Sequence, residues 1–516
     1  MPIHYIVNDP EARKGVKTRT IAPSPARSKG RTDFDFGPMP DAKAWPLDSD
    51  EFLKWQTREA LQRGLRMWEA IAGTLRSWQG PGRRTRLAVH IDAGTDLNAY
   101  YAPGEIGFYS HESKNGRLRR FAMSADVVTH EAGHAFLDAI RPDLFDTPFL
   151  ETNAFHEAFG DCVALLSSLA DPDVRAALLK QDPKLSKTNF VETLMESLAN
   201  ATREHRRNDN AAKARRGRNR YQWVLPTELP DDGGPGVLIN QDHSFGQVFV
   251  GCFYDTLRNV FLMSRKQDSD ALAKAAGVVG RLLVRGADKA PITPRFFQAV
   301  GRAMSLEDDA LFGRKHHEAI RLGFKAHGVL LGAVVAVAPR AALRGSAPKR
   351  VKKARGRILE KATLDDLRTR IDVPTKASIS VRSYELGGKR VAEACHLRPV
   401  ALEGLSERLE NVVALGPEPT LIGGSRRGAA LLGALPDAQT TRDEARTFVA
   451  GLVARGAIAY DANEARAAIR KGARGAIRTS GKPTHAVVTE RGRKVLRRIK
   501  FSCGCGCRAI NRNASA

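Results

Sequence analysis

Residues 126–134 read DVVTHEAGH, and residues 152–169 read TNAFHEAFGDCVALLSSL. These two stretches decide how the chain is read. His130 and His134 stand four apart, so a helix carries both imidazoles on one face, one turn from each other, where they can bind one metal ion. Glu131 lies between them in the H-E-x-x-H arrangement, in which a carboxylate reaches a metal-bound water rather than the metal. Two histidines leave a zinc site short of a protein ligand, so a third is expected from a separate element facing this helix.

The second stretch supplies a candidate. Phe155, Phe159, Cys162, Leu166 and Leu169 recur at helical spacing and predict a core stripe, with Thr152 as the cap. Glu157, Asp161, Ala164 and Ser168 run off that stripe, along a polar and small face that can pack closely on a neighbour. Glu157 is the candidate third ligand. Asp161, one turn further, can accept a hydrogen bond from the outer ring nitrogen of a ligating histidine and fix its tautomer. Arg141-Pro142 ends the first helix and leaves a short connection, which lets the two helices lie antiparallel. His156 lies about 100° round the helix from Glu157 and reads as structural. An H-E-x-x-H occurs by chance in many chains; the added Glu and Asp on a second amphipathic helix give this one its weight.

DVVTHEAGH followed by HEAFGD resembles the thermolysin-like zinc metallopeptidases, whose third zinc ligand is a glutamate. NAYYAPGEIGFY, Asn98–Tyr109, is similar to that family's edge strand, whose Asn side chain and Asn-Ala backbone hold an extended peptide. QDHSFGQVFVGCFYDTL, Gln241–Leu257, resembles the segment carrying the histidine that stabilises the tetrahedral intermediate, which makes that residue His243. The resemblance covers about residues 50–330. It implies an α+β, two-lobed fold: a β-rich lobe over about 47–124, a helical lobe over about 125–330, and the H-E-x-x-H helix in the cleft between them.

The same resemblance implies zinc on His130, His134 and Glu157, catalysis by Glu131 and His243, Asp161 behind the ligands, and substrate held by Asn98 and Ala99. The reaction implied is peptide-bond hydrolysis by Glu131-assisted attack of zinc-bound water. Endopeptidase action is favoured over aminopeptidase action, because no separate acidic motif is placed to grip a free N-terminus. Calcium is a second candidate ion: Asp126 matches an aspartate that helps bind it in calcium-dependent members, and Ser168 stands at the matching position on the second helix. A substrate-binding arginine is expected before His243, where Arg203–Arg220 offers several candidates.

Working outward, the 516 residues carry a net charge of +25, and its distribution is uneven. Residues 331–516 hold 36 Lys+Arg and 16 Asp+Glu, a net of +20, which leaves +5 for the rest. This asymmetry suits a catalytic unit joined to a polyanion-directed module, though an Arg-rich solvated surface gives the same arithmetic. The expected organisation is an irregular lead-in over 1–46, the metallopeptidase domain over 47–330, a basic linker over 331–357 and a basic α/β domain over 358–516 with a Cys-rich tail. The alternative function is polyanion or nucleic-acid binding through residues 340–516, with the peptidase fold inactive or latent. Its densest patch is Arg491, Arg493, Lys494, Arg497, Arg498 and Lys500. Aromatic residues for base stacking are scarce there (Tyr384, Phe448, Tyr460, Phe501).

A hydrophobic fraction of 42% excludes wholesale disorder, and six cysteines exclude a disulfide framework. Cys503, Cys505 and Cys507 alternate with glycine, so an extended chain points three thiols to one side, towards a soft metal with His485 or Cys395, or towards redox chemistry. Cys162 and Cys252 read as core residues, and His316 and His317 as solvated. The N-terminus has no apolar signal region, and the longest apolar run, Gly328–Pro339, is too short to span a bilayer. A cytoplasmic location, or export by a route that reads no cleavable signal, is expected. Coarse periodicity adds a helix from Ser49 to about Gln79, strands at Arg86–Asp92 and within Asn98–Tyr109, a helix at Thr441–Gly456, and two strands within His485–Ser502.

Overall fold

In the computed structural model the described residues are 1–12, 17–25, 29–81, 85–332, 378–425, 428–431, 438–461, 463–464 and 483–503. The architecture is mixed α+β. Ser49 starts α1 (Asp50–Ala72) by accepting the Phe52 N–H. The helix stops at Gly73, earlier than the periodicity predicts, because that residue turns the chain at φ +84°, a conformation that glycine alone adopts freely. Leu75 and Trp78 are buried beyond its end. Helix α2 (Ala125–Ile140) is capped by Ser124, and α3 (Leu150–Ala170) follows after a short link. Thr152 is not the cap of α3: the helix starts two residues upstream, and its hydroxyl donates to the Phe149 carbonyl inside the first turn.

The remaining helices are α4 (Pro172–Gln181), α5 (Glu196–His205), α6 (Asp242–Leu262), α7 (Ser269–Lys289), α8 (Phe296–Phe312), α9 (His317–Lys325) and α10 (Ala438–Ala454). Helix α3 packs against α1, α2, α6, α7 and α8, so it is buried almost all round and its polar residues face other elements instead of water. Gly133 and Gly160 allow the closest of these approaches: a Cβ on Gly133 would lie 2.7 Å from the Gly160 Cα.

A five-stranded sheet covers one side of α2. Its order is β18 (Phe501–Ser502), β5 (Ala99–Ala102), β6 (Glu105–Phe108), β4 (Arg86–His90) and β3 (Asp33–Asp35). Strands β5 and β6 form a hairpin through Pro103-Gly104, as the sequence predicts. Three two-stranded pairs join β1 (Ile3–Tyr5) to β2 (Arg19–Ile21), β7 (Ser110–Glu112) to β8 (Leu118–Arg120), and β9 (Thr193–Leu194) to β10 (Arg215–Arg216). A seven-stranded sheet is built from β11 (Ile379–Leu386), β12 (Lys389–Ala401), β13 (Val412–Ser425), β14 (Gly428–Leu431), β15 (Ile458–Ala459), β16 (His485–Glu490) and β17 (Arg493–Arg498).

Two expectations about organisation change. The lead-in over 1–46 is not irregular throughout: it contributes β1, β2 and β3, and Ile3, Tyr5, Val7 and Phe34 are buried. Ile3, Tyr5 and Val7 alternate at strand spacing, but in a run of only five residues followed by a stretch rich in Pro, Gly and basic residues. The C-terminal part shares the main core, with Val400, Leu402, Phe448, Leu452 and Phe501 in one cluster with residues of α1, α2 and α3. Arg295 pairs with Glu444 at 2.6 Å across the same contact. Most of the expected basic linker, residues 333–357, lies outside the described residues, as do Cys505 and Cys507. Among the described residues no helix is long and apolar enough to cross a membrane.

Candidate metal and active site

Helices α2 and α3 bring the two sequence stretches together. One oxygen of the Glu157 carboxylate lies 3.2 Å from His130 Nε2 and 3.6 Å from His134 Nε2, and all three residues are buried. Donors about 2.0–2.1 Å from a common tetrahedral ion are separated by about 3.3 Å, so these spacings suit one zinc. The His130 and His134 Nε2 atoms and both Glu157 oxygens make no hydrogen bond of regular geometry within the protein. Four buried lone-pair atoms outside any regular hydrogen bond are costly unless a cation satisfies them, and the donor set fits a zinc ion.

The outer ring nitrogens are fixed. His130 Nδ1–H donates to Asp161 Oδ1 at 2.9 Å, and His134 Nδ1 meets His156 Nδ1 at 2.8 Å. With His134 as donor in that second contact, both Nε2 lone pairs face Glu157. His156 therefore stands behind the His134 ring. Burial depresses His134 to about 4, against the opposing pull of Glu157. Burial pushes the Glu157 carboxyl up, but His243 and His134 outweigh it and hold the group well below the usual carboxylate range.

Glu131, the next residue after His130, is fully buried with neither carboxylate oxygen in a regular hydrogen bond. Burial raises it to about 7, against the lowering effect of His130 and the Cys503 thiol. That is a suitable value for a group that takes and returns a proton near neutrality. His243 enters from the first turn of α6, with Nε2 3.1 Å from Glu157 Oε2. Burial lowers its basicity, but the Glu157 and Asp242 carboxylates prevail and raise it to about 9. Its Nδ1 contacts the Gln241 amide at 2.9 Å, with Asp242 at 3.5 Å.

Of the arginines in the 203–220 stretch, Arg215 on β10 approaches the cluster. Its Nη1 lies 3.3 Å from Asp161 and 3.7 Å from Glu157, and it is the residue of the 203–220 stretch that points its charge at these carboxylates. Asn98 and Ala99 lie at the start of β5, on the sheet edge beside α2. That edge is taken by β18, whose Phe501 ring packs 4.7 Å from His134 and 4.0 Å from His156. Asp126, at the expected calcium position, is buried near Asp9 and Glu196, and Ser168 accepts a hydrogen bond from Asn8.

Other expectations are corrected. Cys503 does not join His485 or Cys395; among the described residues it groups with His130 and Glu131, their donor atoms all within 4.8 Å of one another. His316 is buried and paired with Asp308 at 2.8 Å, because the chain folds back over the end of α8. Half of the basic patch is committed inside the protein. Arg497 pairs with Asp146 and Glu490, Arg498 is buried against Asn153, and Lys500 is buried beside Tyr100. Arg491, Arg493 and Lys494 remain exposed at the β16–β17 turn. No protein-family model matches this chain, and no curated protein is significantly similar to it.

Proposed function

We propose that the chain is a zinc-dependent metalloendopeptidase with the two-lobed arrangement of the thermolysin-like family. The observation that carries this reading is the convergence of His130 Nε2, His134 Nε2 and the Glu157 carboxylate, all buried and without regular hydrogen-bond partners, beside an equally unpartnered Glu131. Bound there, zinc supplies Lewis acidity to polarise a peptide carbonyl and to make water acidic. Asn98 and the Ala99 backbone align an extended peptide as an added strand on β5. Glu131 accepts the proton of the attacking water and returns it to the leaving amine. The His243 Nε2–H and the Arg215 guanidinium both approach Glu157 Oε2 and donate to the developing oxyanion and the adjoining backbone. Asp161 and His156 hold the imidazoles in the tautomer that presents Nε2.

The test is cleavage of an unfolded protein by wild type, by wild type with a chelator, and by Glu131→Gln. Cleavage abolished by both changes, with zinc retained in Glu131→Gln, is the expected result. Chelator-insensitive cleavage, or full activity in Glu131→Gln, contradicts the proposal.

A further inference from the structure

The chain's own C-terminal segment lies over this site. Strand β18 runs antiparallel to β5, with Phe501 opposite Tyr101 and Ser502 opposite Tyr100. The Cys503 N–H donates to the Ala99 carbonyl at 2.9 Å, and the Ser502 hydroxyl donates to Asn98 Oδ1 at 3.0 Å. These are the two residues assigned to substrate. The Phe501 ring is completely buried, stacked on His156 and His134, with the Arg498 guanidinium 4.0 Å from its centre. Arg498 is itself buried and donates to Asn153 Oδ1 on α3 at 2.8 Å, which anchors the segment to the helix that carries Glu157.

The register then delivers Cys503 into the site. Its thiol is buried, within 4.8 Å of donor atoms of both His130 and Glu131, and Arg215 Nη2 donates to it at 3.5 Å. Independently of the cysteine, the Nε2 atoms of His130 and His134 and the oxygens of Glu157 and Glu131 are buried and lack regular hydrogen-bond partners.

We propose that Phe501–Cys503 is an internal inhibitor: it takes the place of a substrate strand on β5 and offers the Cys503 thiolate to the metal, so that the folded chain is latent. The inference rests on the zinc-peptidase reading above. His130 is shared by the His130–His134–Glu157 group and the His130–Glu131–Cys503 group, so the Cys503 thiolate, a strong zinc donor, is the group placed to fill the position a water would otherwise take. Ligation requires the thiol to release its proton. The Glu131 carboxylate in the same group is placed to take it, so one residue occupies the open ligand position and the base together. Two paired residues make a short strand, which a longer peptide or a change at Cys503 can displace.

The test uses the full chain carrying Cys505→Ser and Cys507→Ser, which removes the two other tail thiols. X-ray absorption at the zinc edge is expected to show one sulfur neighbour. That sulfur is lost on further Cys503→Ser with zinc content unchanged, while cleavage of an unfolded protein rises roughly tenfold or more, as when a minor competent population becomes the main one. Phe501→Ala leaves the thiol in place but removes the buried ring; faster alkylation of Cys503 and raised cleavage are expected. A zinc shell of nitrogen and oxygen alone in the parent overturns the proposal and leaves the metal site standing. Unchanged cleavage in both variants overturns the inhibitory role. Absence of zinc from the parent overturns this proposal together with the metallopeptidase reading.

Discussion

His130 Nδ1–H donates to Asp161 Oδ1 at 2.9 Å, linking the helix that carries the two histidines to the one that carries Glu157. The contact sets the ring's tautomer and makes its Nε2 a better donor. Asp161→Asn keeps the size but removes the charge, and is expected to weaken zinc affinity about 10–100-fold without unfolding the chain. Titration with a competing chelator measures it; unchanged affinity would show that the contact is only structural.

Gly160 lies directly under the same ring. A Cβ there would meet His130 Nδ1 at 2.6 Å and Cε1 at 2.7 Å. Gly160→Ala therefore has to push the imidazole out of line, at a cost of about 1–3 kcal/mol in stability together with weaker zinc binding. Denaturant unfolding with and without zinc separates the two effects. Equal zinc affinity in the variant would show that the ring can shift without loss.

His243 is buried in the first turn of α6, with its Nε2 3.1 Å from Glu157 Oε2 and its Nδ1 2.9 Å from the Gln241 amide. If it donates to the oxyanion, His243→Ala is expected to lower kcat by about 10²–10³-fold with little change in KM and with zinc retained. A change confined to KM would place it in substrate binding instead. The latency proposed for the C-terminal segment makes the Cys503→Ser background the sensitive one for this comparison.

Glu151, at the start of α3, is buried and accepts from Trp223 Nε1–H at 2.8 Å and the Phe297 N–H at 2.9 Å. Burial pushes its carboxyl up to about 7, against those hydrogen bonds and the Arg295 charge. In that window the folded chain holds a proton that the unfolded chain has lost, so stability falls as pH rises from about 4.5 to about 7. Glu151→Gln removes this contribution and should flatten the decline by on the order of 2 kcal/mol. Urea unfolding at the two ends of the window measures it; equal slopes in both proteins would contradict the assignment. Asp138 and Glu192, each also raised to about 7 by burial, keep part of the slope in the variant.

The cluster of His130, His134 and Glu157 was legible because its spacing is local: two histidines four apart on one helix with Glu131 between them, then a Glu and an Asp four apart on the next helix. The hairpin of β5 and β6 was legible for the same reason. What periodicity cannot carry is return across the chain. Nothing in FSCGCGCR tells that Ser502 meets Asn98, a residue 404 positions away, or that Cys503 ends beside His130 and Glu131. Arg215 was hidden among neighbours of the same charge, and only the pairing of β10 with β9 turns it towards Asp161. His156 read as structural, but its place behind His134 depends on the distance between α2 and α3. The basic patch misled in a different way: composition counts charges without showing that Asp146, Glu490 and Asn153 already hold Arg497 and Arg498.

The most direct measurement is zinc content per chain in protein purified without chelators, for wild type, His134→Ala and Glu157→Ala. The account predicts about one zinc per chain in wild type and its loss in both variants, as expected when one of only a few protein ligands is removed. No zinc in wild type, or equal zinc in all three proteins, would contradict the site itself.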